Sequence, residues 1–206
     1  MSTFASEETK RDSSTRKTKE NLYKIEFATE KDYQKITELF YRTDYENFPP
    51  PLSKRWIVTA GVRDEFDNDI SDEERLRALQ YRTEFLGKKG RWLVAKDDSK
   101  VIGTVIIIIP EREVEALIVD PNYRRQGIAT SLLDKSLEHL FDIDRYPIRT
   151  TTWSGNEASR SLFEKLGFRE SDRKYETRGG DLRESIIFEL TKLDYLLKRI
   201  DIPKLG

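Results

Sequence analysis

Cysteine is absent from this chain. Disulfides and thiolate metal sites are excluded with it, and the absence is compatible with a reducing, cytoplasmic setting. An excess of one charge is also missing. Lysine and arginine together number 37 against 38 aspartates and glutamates, a formal net charge of −1. A general nucleic-acid binder would carry a basic excess, so none is expected as a partner. Long apolar runs are lacking as well. The longest, Val105–Ile109, falls far short of the ~20 residues a membrane-spanning helix needs. The first residues show no signal-peptide core. These absences predict a soluble, cytoplasmic chain with no membrane partner. At 206 residues it is long enough for one domain with a sizeable core.

What is present divides into three parts. Residues 1–20 are polar and cannot bury enough apolar surface to offset chain entropy, so they are expected to form a disordered tail. Residues 21–190 read as the domain. Leu22–Ala28 alternates like a strand, and Thr29 with Asp32 marks the start of a helix carrying Ile36, Leu39 and Phe40. Tyr41–Ala60 gathers aromatics around Pro49-Pro50-Pro51, as core or as a pocket wall. The acidic run from Asp64 to Glu74 is either a solvated loop and helix start or a lure for a cationic amine. It lacks the glycine and terminal glutamate of a calcium loop. Ser71 caps a helix through about Leu86, closed by Gly87 and Gly90. Arg91–Ala95 and Val101–Ile109 read as a hairpin, followed by a strand at Val114–Val119. Ile148–Trp153 is a further strand, and Arg169–Tyr175 with Arg183–Leu190 a closing hairpin about Gly179-Gly180-Asp181. Residues 191–206 form an extension with Leu193, Leu196, Leu197 and Ile200 at helical spacing. His139 lies late in the helix that ends near Phe141, where it reads as a partner for the helix dipole.

The most informative stretch follows the Val114–Val119 strand. Asp120-Pro121-Asn122-Tyr123 makes a turn, and Arg124-Arg125-Gln126-Gly127-Ile128-Ala129 leads into a helix with Ile128, Leu132, Leu133, Leu137, Leu140 and Phe141 on one stripe. Gly127 has no Cβ and Ala129 only a methyl, so backbone N–H groups can face outward there. The first turn of a helix has N–H groups without intrahelical partners and a partial positive charge. Such a place binds phosphate, and two arginines add formal charge. The bland alternative is an ordinary surface loop. No Gly-Lys-Ser/Thr follows and no GxGxxG occurs, which sets aside the P-loop and dinucleotide motifs.

Residues 124–129 fit the (Gln/Arg)-x-x-Gly-x-(Gly/Ala) loop, and the chain here resembles the GCN5-related N-acetyltransferases. A second stretch, Asn156 to Phe168, is similar to that family's Asn-x-x-Ala-x-x-Leu-Tyr-Glu-Lys-x-Gly-Phe, with Phe163 in place of the tyrosine. The resemblance covers about Tyr23 to Leu190. It implies an α/β (α+β) fold with a mixed, mostly antiparallel central sheet and helices on both faces.

The resemblance also implies a chemistry. Acetyl-CoA would be the cosubstrate, with no metal, and a primary amine on a small molecule or a protein, the small molecule preferred, would be the acceptor. Its diphosphate would sit on Arg124, Arg125, Gln126, Gly127, Ile128, Ala129 and Thr130. Its pantetheine arm would lie between the Val114–Val119 and Ile148–Trp153 strands, along Leu117, Ile118 and Val119, with Asn156 and Phe163 on the other side. A backbone N–H near Ile118 or Val119 would polarise the thioester carbonyl. Glu113 and Glu115 share one face of their strand and match positions held by two histidines in the arylalkylamine branch. They are the candidate bases. Phe163 cannot protonate a thiolate, so Tyr175 is the candidate acid; otherwise water serves, the thiolate leaves unassisted or transfer is slow. Two rivals stay open: a non-catalytic acyl-CoA-binding module, and a protein acetyltransferase. A homodimer is left open.

Overall fold

A computed structural model describes residues 23–47, 71–143, 146–178 and 181–199. The expected N-terminal tail, the triple proline with Phe48 and Trp56, the acidic run up to Asp69, the Gly179-Gly180 turn and residues 200–206 lie outside them.

The described residues build a seven-stranded sheet in the order β1-β2-β3-β4-β5-β7-β6. The strands are β1 Lys24–Phe27, β2 Arg91–Asp97, β3 Lys100–Ile108, β4 Glu113–Val119, β5 Ile148–Trp153, β6 Arg169–Arg178 and β7 Asp181–Leu190. Every neighbouring pair is antiparallel except β4 and β5. Helices α1 (Tyr33–Asn47) and α2 (Asp72–Lys89) cover one face. Helices α3 (Ile128–Ile143), α4 (Glu157–Leu166) and α5 (Lys192–Arg199) lie on the other.

Two apolar layers follow from this arrangement. Ile36, Leu39, Phe40 and Leu79 meet Trp92, Val94 and Ile106 on the first face. Leu132, Leu133, Leu137 and Leu140 of α3 meet Leu93, Val105 and Ile107 on the second. Strand β3 is buried along Val101–Ile108, which is why it reads as an unbroken β-branched run rather than an alternating one. Gly103 lets α3 come close: a Cβ there would stand 3.0 Å from Ile128 and 3.1 Å from Leu132. The start of α3, and the loop before it, are thereby seated against the sheet.

Local signals account for the element ends. Thr29 donates its N–H (2.9 Å) and its hydroxyl (3.1 Å) to Asp32, opening a short 3-10 turn ahead of α1. Ser71 and Glu74 make a reciprocal capping box at α2. That helix does not stop at Gly87. It runs to Lys89, and Gly87 is glycine because the Tyr33 ring passes where its Cβ would be. Gly167 ends α4 at φ 97°, and Phe168 folds back on Phe163 with ring centroids 5.7 Å apart.

One expectation needs correcting. His139 is a poor cationic partner for the helix dipole, because burial, with Arg91 nearby, lowers its pKa and disfavours the charged imidazole. Its ring packs edge-on to Phe27 at 5.0 Å. On α5, Leu193, Leu196 and Leu197 are exposed, and the helix is docked on the domain by Tyr195. It is buried beside Phe141 at 5.2 Å, and Arg199 adds ion pairs to Asp134 (2.9 Å) and Glu138 (3.4 Å) on α3. Among the described residues no helix is long and apolar enough to cross a membrane.

Candidate functional site

The site begins with an irregularity in β4. Ile106 pairs with Glu115 and Thr104 with Ile118, so Ala116 and Leu117 together oppose the single residue Val105. This is a β-bulge, and Ala116 adopts φ 51° to make it. Before the bulge, Val114 packs into the α3 layer. After it, Leu117 and Val119 join that layer while Ala116 and Ile118 join the α1 layer. A bulge also bends its strand and increases the local twist. Here β4 registers with its parallel neighbour at one pair only, Glu113 with Arg149. Beyond that pair the strands part, while β5 stays fully paired to β7 from Ile148 to Trp153.

The gap is a cleft of about 810 Å³. One wall is β4 from Glu113 to Val119. The other is β5 from Thr150 to Trp153 with Asn156 and Phe163 of the α4 region. Asn156 caps α4 by accepting from the Ser159 N–H at 3.2 Å. Phe163 is buried between Phe168 and Phe188, at 5.7 and 5.6 Å, and presents ring rather than hydroxyl to the cleft.

At the end of β4 the chain enters the basic loop. Asp120 is buried, 2% exposed, and its carboxylate accepts from the Asn122 N–H at 3.1 Å. It also pairs with Lys100 at 3.2 Å and Arg42 at 3.5 Å. Lys100 lies over the Tyr123 ring, 4.7 Å from its centroid, and the Tyr123 hydroxyl donates to Asp97 at 3.0 Å. The turn is thus tied to the β2–β3 hairpin and to α1. Arg124, which lines the cleft, turns back and donates its Nε to the Val119 carbonyl at 3.3 Å.

Arg125 and Gly127 then take left-handed backbone conformations, φ 63° and 85°. A Cβ on Gly127 would meet nothing within 4 Å, so the surface over it is open, and the φ is what calls for glycine. The first backbone bond into the helix is Ser131 N–H to the Gly127 carbonyl, 3.0 Å. From Arg125 to Thr130 the N–H groups have no acceptor among the described residues. Consecutive N–H groups without acceptors among the described residues, left-handed turns and a helix start are features that favour an anion.

The sequence-predicted residues divide as follows. Glu113, Glu115, Leu117, Ile118, Val119, Arg124, Asn156 and Phe163 line the cleft together. Arg125, Gln126, Gly127, Ala129 and Thr130 form the adjoining loop and first turn. Ile128 is buried in the core, so only its backbone can serve a ligand. Glu113 and Glu115 do face the same cleft, each acting on the other's charge. Burial, then the Glu115 carboxyl, pushes the Glu113 pKa up, with Lys174 opposing. Tyr175 is the exception. It is 68% exposed, donates to Glu184 at 3.3 Å and does not line the cleft. Side chains alternate along β6, so its neighbour Lys174 faces the cleft instead. Lys174, Arg82 of α2 and Trp153 are lining residues that sequence reasoning missed. A lone lysine on a polar hairpin and an arginine on a charged helix carry no signal that separates them from surface residues.

Comparison with known proteins follows the same line. A model of the Acetyltransferase (GNAT) family matches residues 54–168. Similar solved structures include the ribosomal-protein-S18-alanine N-acetyltransferase from Escherichia coli, at 18% identity and TM-score 0.58 over 82% of this chain and 93% of that one. The ribosomal-protein-alanine N-acetyltransferase from Brucella melitensis has 19% identity and TM-score 0.59, over 82% and 99%. Salmonella typhimurium yncA, solved with its cofactor acetyl-CoA, has 19% identity and TM-score 0.56, over 83% and 94%. At these identities the likeness is one of fold. A search among curated proteins gave no match. With the family match extending over more than half of its residues, this chain belongs to the GCN5-related (GNAT) acetyltransferase family.

Proposed function

We propose that the protein is an acetyl-CoA-dependent N-acetyltransferase acting on a primary amine, a small molecule rather than a protein. The observation that carries this reading is the continuity of two features. The β4–β5 cleft is lined by Arg124, and the residues that follow it, Arg125–Thr130, carry a row of N–H donors unclaimed among the described residues. A ligand with a diphosphate at one end and a slender amide-bearing arm fits both.

The fit of acetyl-CoA rests on those donors and on the open space over Gly127. The loop N–H groups and the Arg124 guanidinium hold the diphosphate. Leu117, Ile118 and Val119 line one side of the arm, Asn156 and Phe163 the other. Acetyl-CoA, when bound, supplies the acetyl thioester that the amine attacks. An N–H at Ile118 or Val119 donates to the carbonyl oxygen as charge develops there. Glu113 with Glu115 takes the proton from the amine, directly or through water. A raised pKa brings the Glu113 carboxylate nearer the operating pH and makes it a better base. Phe163 has no proton to give and Tyr175 stands apart, so water entering the cleft protonates the sulfur.

The test is calorimetry with coenzyme A, followed by thiol release from acetyl-CoA with a panel of amines and peptides. Binding with amine-dependent release is the expected result. Binding without release on any acceptor means a non-catalytic acyl-CoA module, and no binding refutes the reading.

A further inference from the structure

The cleft holds a primary amine of its own. Helices α1 and α2 pack on β2, β3 and β4 of one sheet face, and no residue of β5, β6 or β7 joins that layer among the described residues. Glu113 and Glu115 face the cleft from β4. On β6, Lys174 stands opposite Ser185 of β7, and Ser185 stands opposite Trp153 of β5. Residues directly opposite in a sheet share a face, so Lys174 and Trp153 lie on one side, and both line the cleft. Neighbouring strands are about 5 Å apart, and the flexible four-carbon stem of a lysine carries its nitrogen well beyond its own strand. The charge of Lys174 accordingly acts on Glu113. Among the described residues Lys174 is the one lysine that lines the cleft. It is exposed, so a group entering the cleft can reach it. It is also held by its neighbours rather than free, which keeps it beside the carboxylates.

Three requirements of acetyl transfer therefore meet at one side chain: an amine, carboxylates that can take its proton, and the cleft that receives the thioester. Resting on the acetyltransferase reading above, we propose that Lys174 is a self-acetylation site, the acceptor used when no external amine fills the cleft. Its ammonium gives one proton to Glu113 or Glu115, because only the neutral nitrogen has a lone pair. That nitrogen attacks the acetyl carbonyl carbon. The N–C amide bond forms and the thioester C–S bond breaks. The nitrogen gives a second proton to water, and the sulfur takes one from water. The products are acetyl-lysine and free coenzyme A. An amide nitrogen is no longer a nucleophile, so the reaction stops after one acetyl group per chain. It leaves a neutral amide beside the two glutamates where a cation stood.

The experiment incubates the full chain with acetyl-CoA and no added amine, and follows intact mass and peptide mapping. One acetyl group should enter at Lys174, about 100-fold or more faster than at any other lysine, a small part of the advantage that positioning gives an intramolecular reaction. The rate constant should not depend on protein concentration. Lys174→Arg keeps the charge and should lose the fast uptake. Gly127→Glu keeps the lysine and should lose it too, because the cofactor is barred. Lys174 is exposed on β6, so its variant should fold, and circular dichroism checks this for both. Acetylation spread evenly over surface lysines, or equally fast in either variant, means chemical modification by the thioester or another site, and overturns the proposal. So does a rate constant that rises with protein concentration, which means that one molecule modifies another, and so does a Lys174 that takes up no acetyl group. Coenzyme A calorimetry on the same samples separates the two readings. Binding without acetylation at Lys174 sinks only the self-acetylation site, whereas absence of binding sinks both.

Discussion

Replacing Asp120 with asparagine tests how the basic loop is held. The carboxylate is 2% exposed and receives the Asn122 N–H, the Lys100 ammonium and the Arg42 guanidinium at 3.1, 3.2 and 3.5 Å. Burial alone would raise its pKa, but the Asn122 N–H and the two cations outweigh burial and hold it below the usual carboxylate range. Asparagine keeps one acceptor for Asn122 and turns an amide donor toward two cations. Breaking a fully buried pair costs about 3–5 kcal/mol. The side chains of Lys100 and Arg42 are 43% and 45% exposed, and pairs in water are worth about 0–1 kcal/mol. An intermediate loss of about 2 kcal/mol is therefore expected, a fall in Tm of about 4–8 °C for a chain of this size. Because the folded-state pKa is depressed, the stabilisation is fully present above the unfolded value of about 3.9 and is lost as pH falls through the folded value. Urea unfolding of both proteins at pH 7 and near pH 3 reads the difference directly. The gap should be wide at pH 7 and narrower in acid. A gap below about 0.5 kcal/mol at pH 7, within the ordinary range of surface substitutions, would show that the carboxylate does not hold the turn. A gap that widened in acid would refute the electrostatic account.

Gly127→Glu should weaken coenzyme A binding by about 100-fold or more, since it sets bulk and negative charge where the diphosphate belongs. Unchanged affinity in calorimetry would mean the diphosphate lies elsewhere. Glu113→Gln should flatten or shift the acidic limb of the pH–kcat/KM profile and lower the rate about 100-fold, Glu115 supplying the remainder. An unaltered profile in that variant and in Glu115→Gln removes both as bases. The same Glu113→Gln protein should be more stable than the parent at pH 7. A raised folded-state pKa means that ionisation is disfavoured in the fold, so the gain should disappear below the unfolded value of about 4.3. Tyr195→Phe should leave thermal stability unchanged or raise it by up to about 1 kcal/mol, because the Tyr195 hydroxyl is buried without a hydrogen-bond partner among the described residues. A clear loss would reveal a partner for that hydroxyl.

Much of the architecture was legible because local chemistry and global packing agree. The β5 boundaries, Ile148 and Trp153, coincide with the β-branched run between turn residues. The Ser71 and Asn156 caps and the Gly167 stop stand where side-chain chemistry places them. The basic loop was legible because glycine, alanine and arginine leave few other uses for its backbone. Legibility failed where the decisive neighbour is distant in sequence. Gly87 looks like a helix end until Tyr33 is brought against it. The stripe Leu193, Leu196 and Leu197 leaves the docking of the last helix undecided in the sequence, and it is Tyr195, from between them, that turns inward. Tyr175 was chosen for its hydroxyl, but its distance from the cleft depends on the register of β6 against β7, including a shift between Glu170 and Asp172. Nothing local announces that register.

The bulge at Ala116 was the least legible feature, and the cleft depends on it. Alanine carries no signal for φ 51°, a conformation that costs a non-glycine residue about 1 kcal/mol or more. The local sequence reads as a regular strand. A regular strand, however, could continue its registry with β5 past Glu113 and Arg149, and the two would close like any parallel pair. Opening them leaves backbone groups on facing edges without strand partners, a second cost. Both costs fall on the same few residues, beside a loop whose N–H groups are also unclaimed. Folding alone does not repay an arrangement of this kind. A ligand with amides along its arm and anionic oxygens at its end would satisfy the edges and the loop together, and on the function proposed above the strain in β4 and the Arg125–Thr130 donors left open among the described residues belong to one binding site.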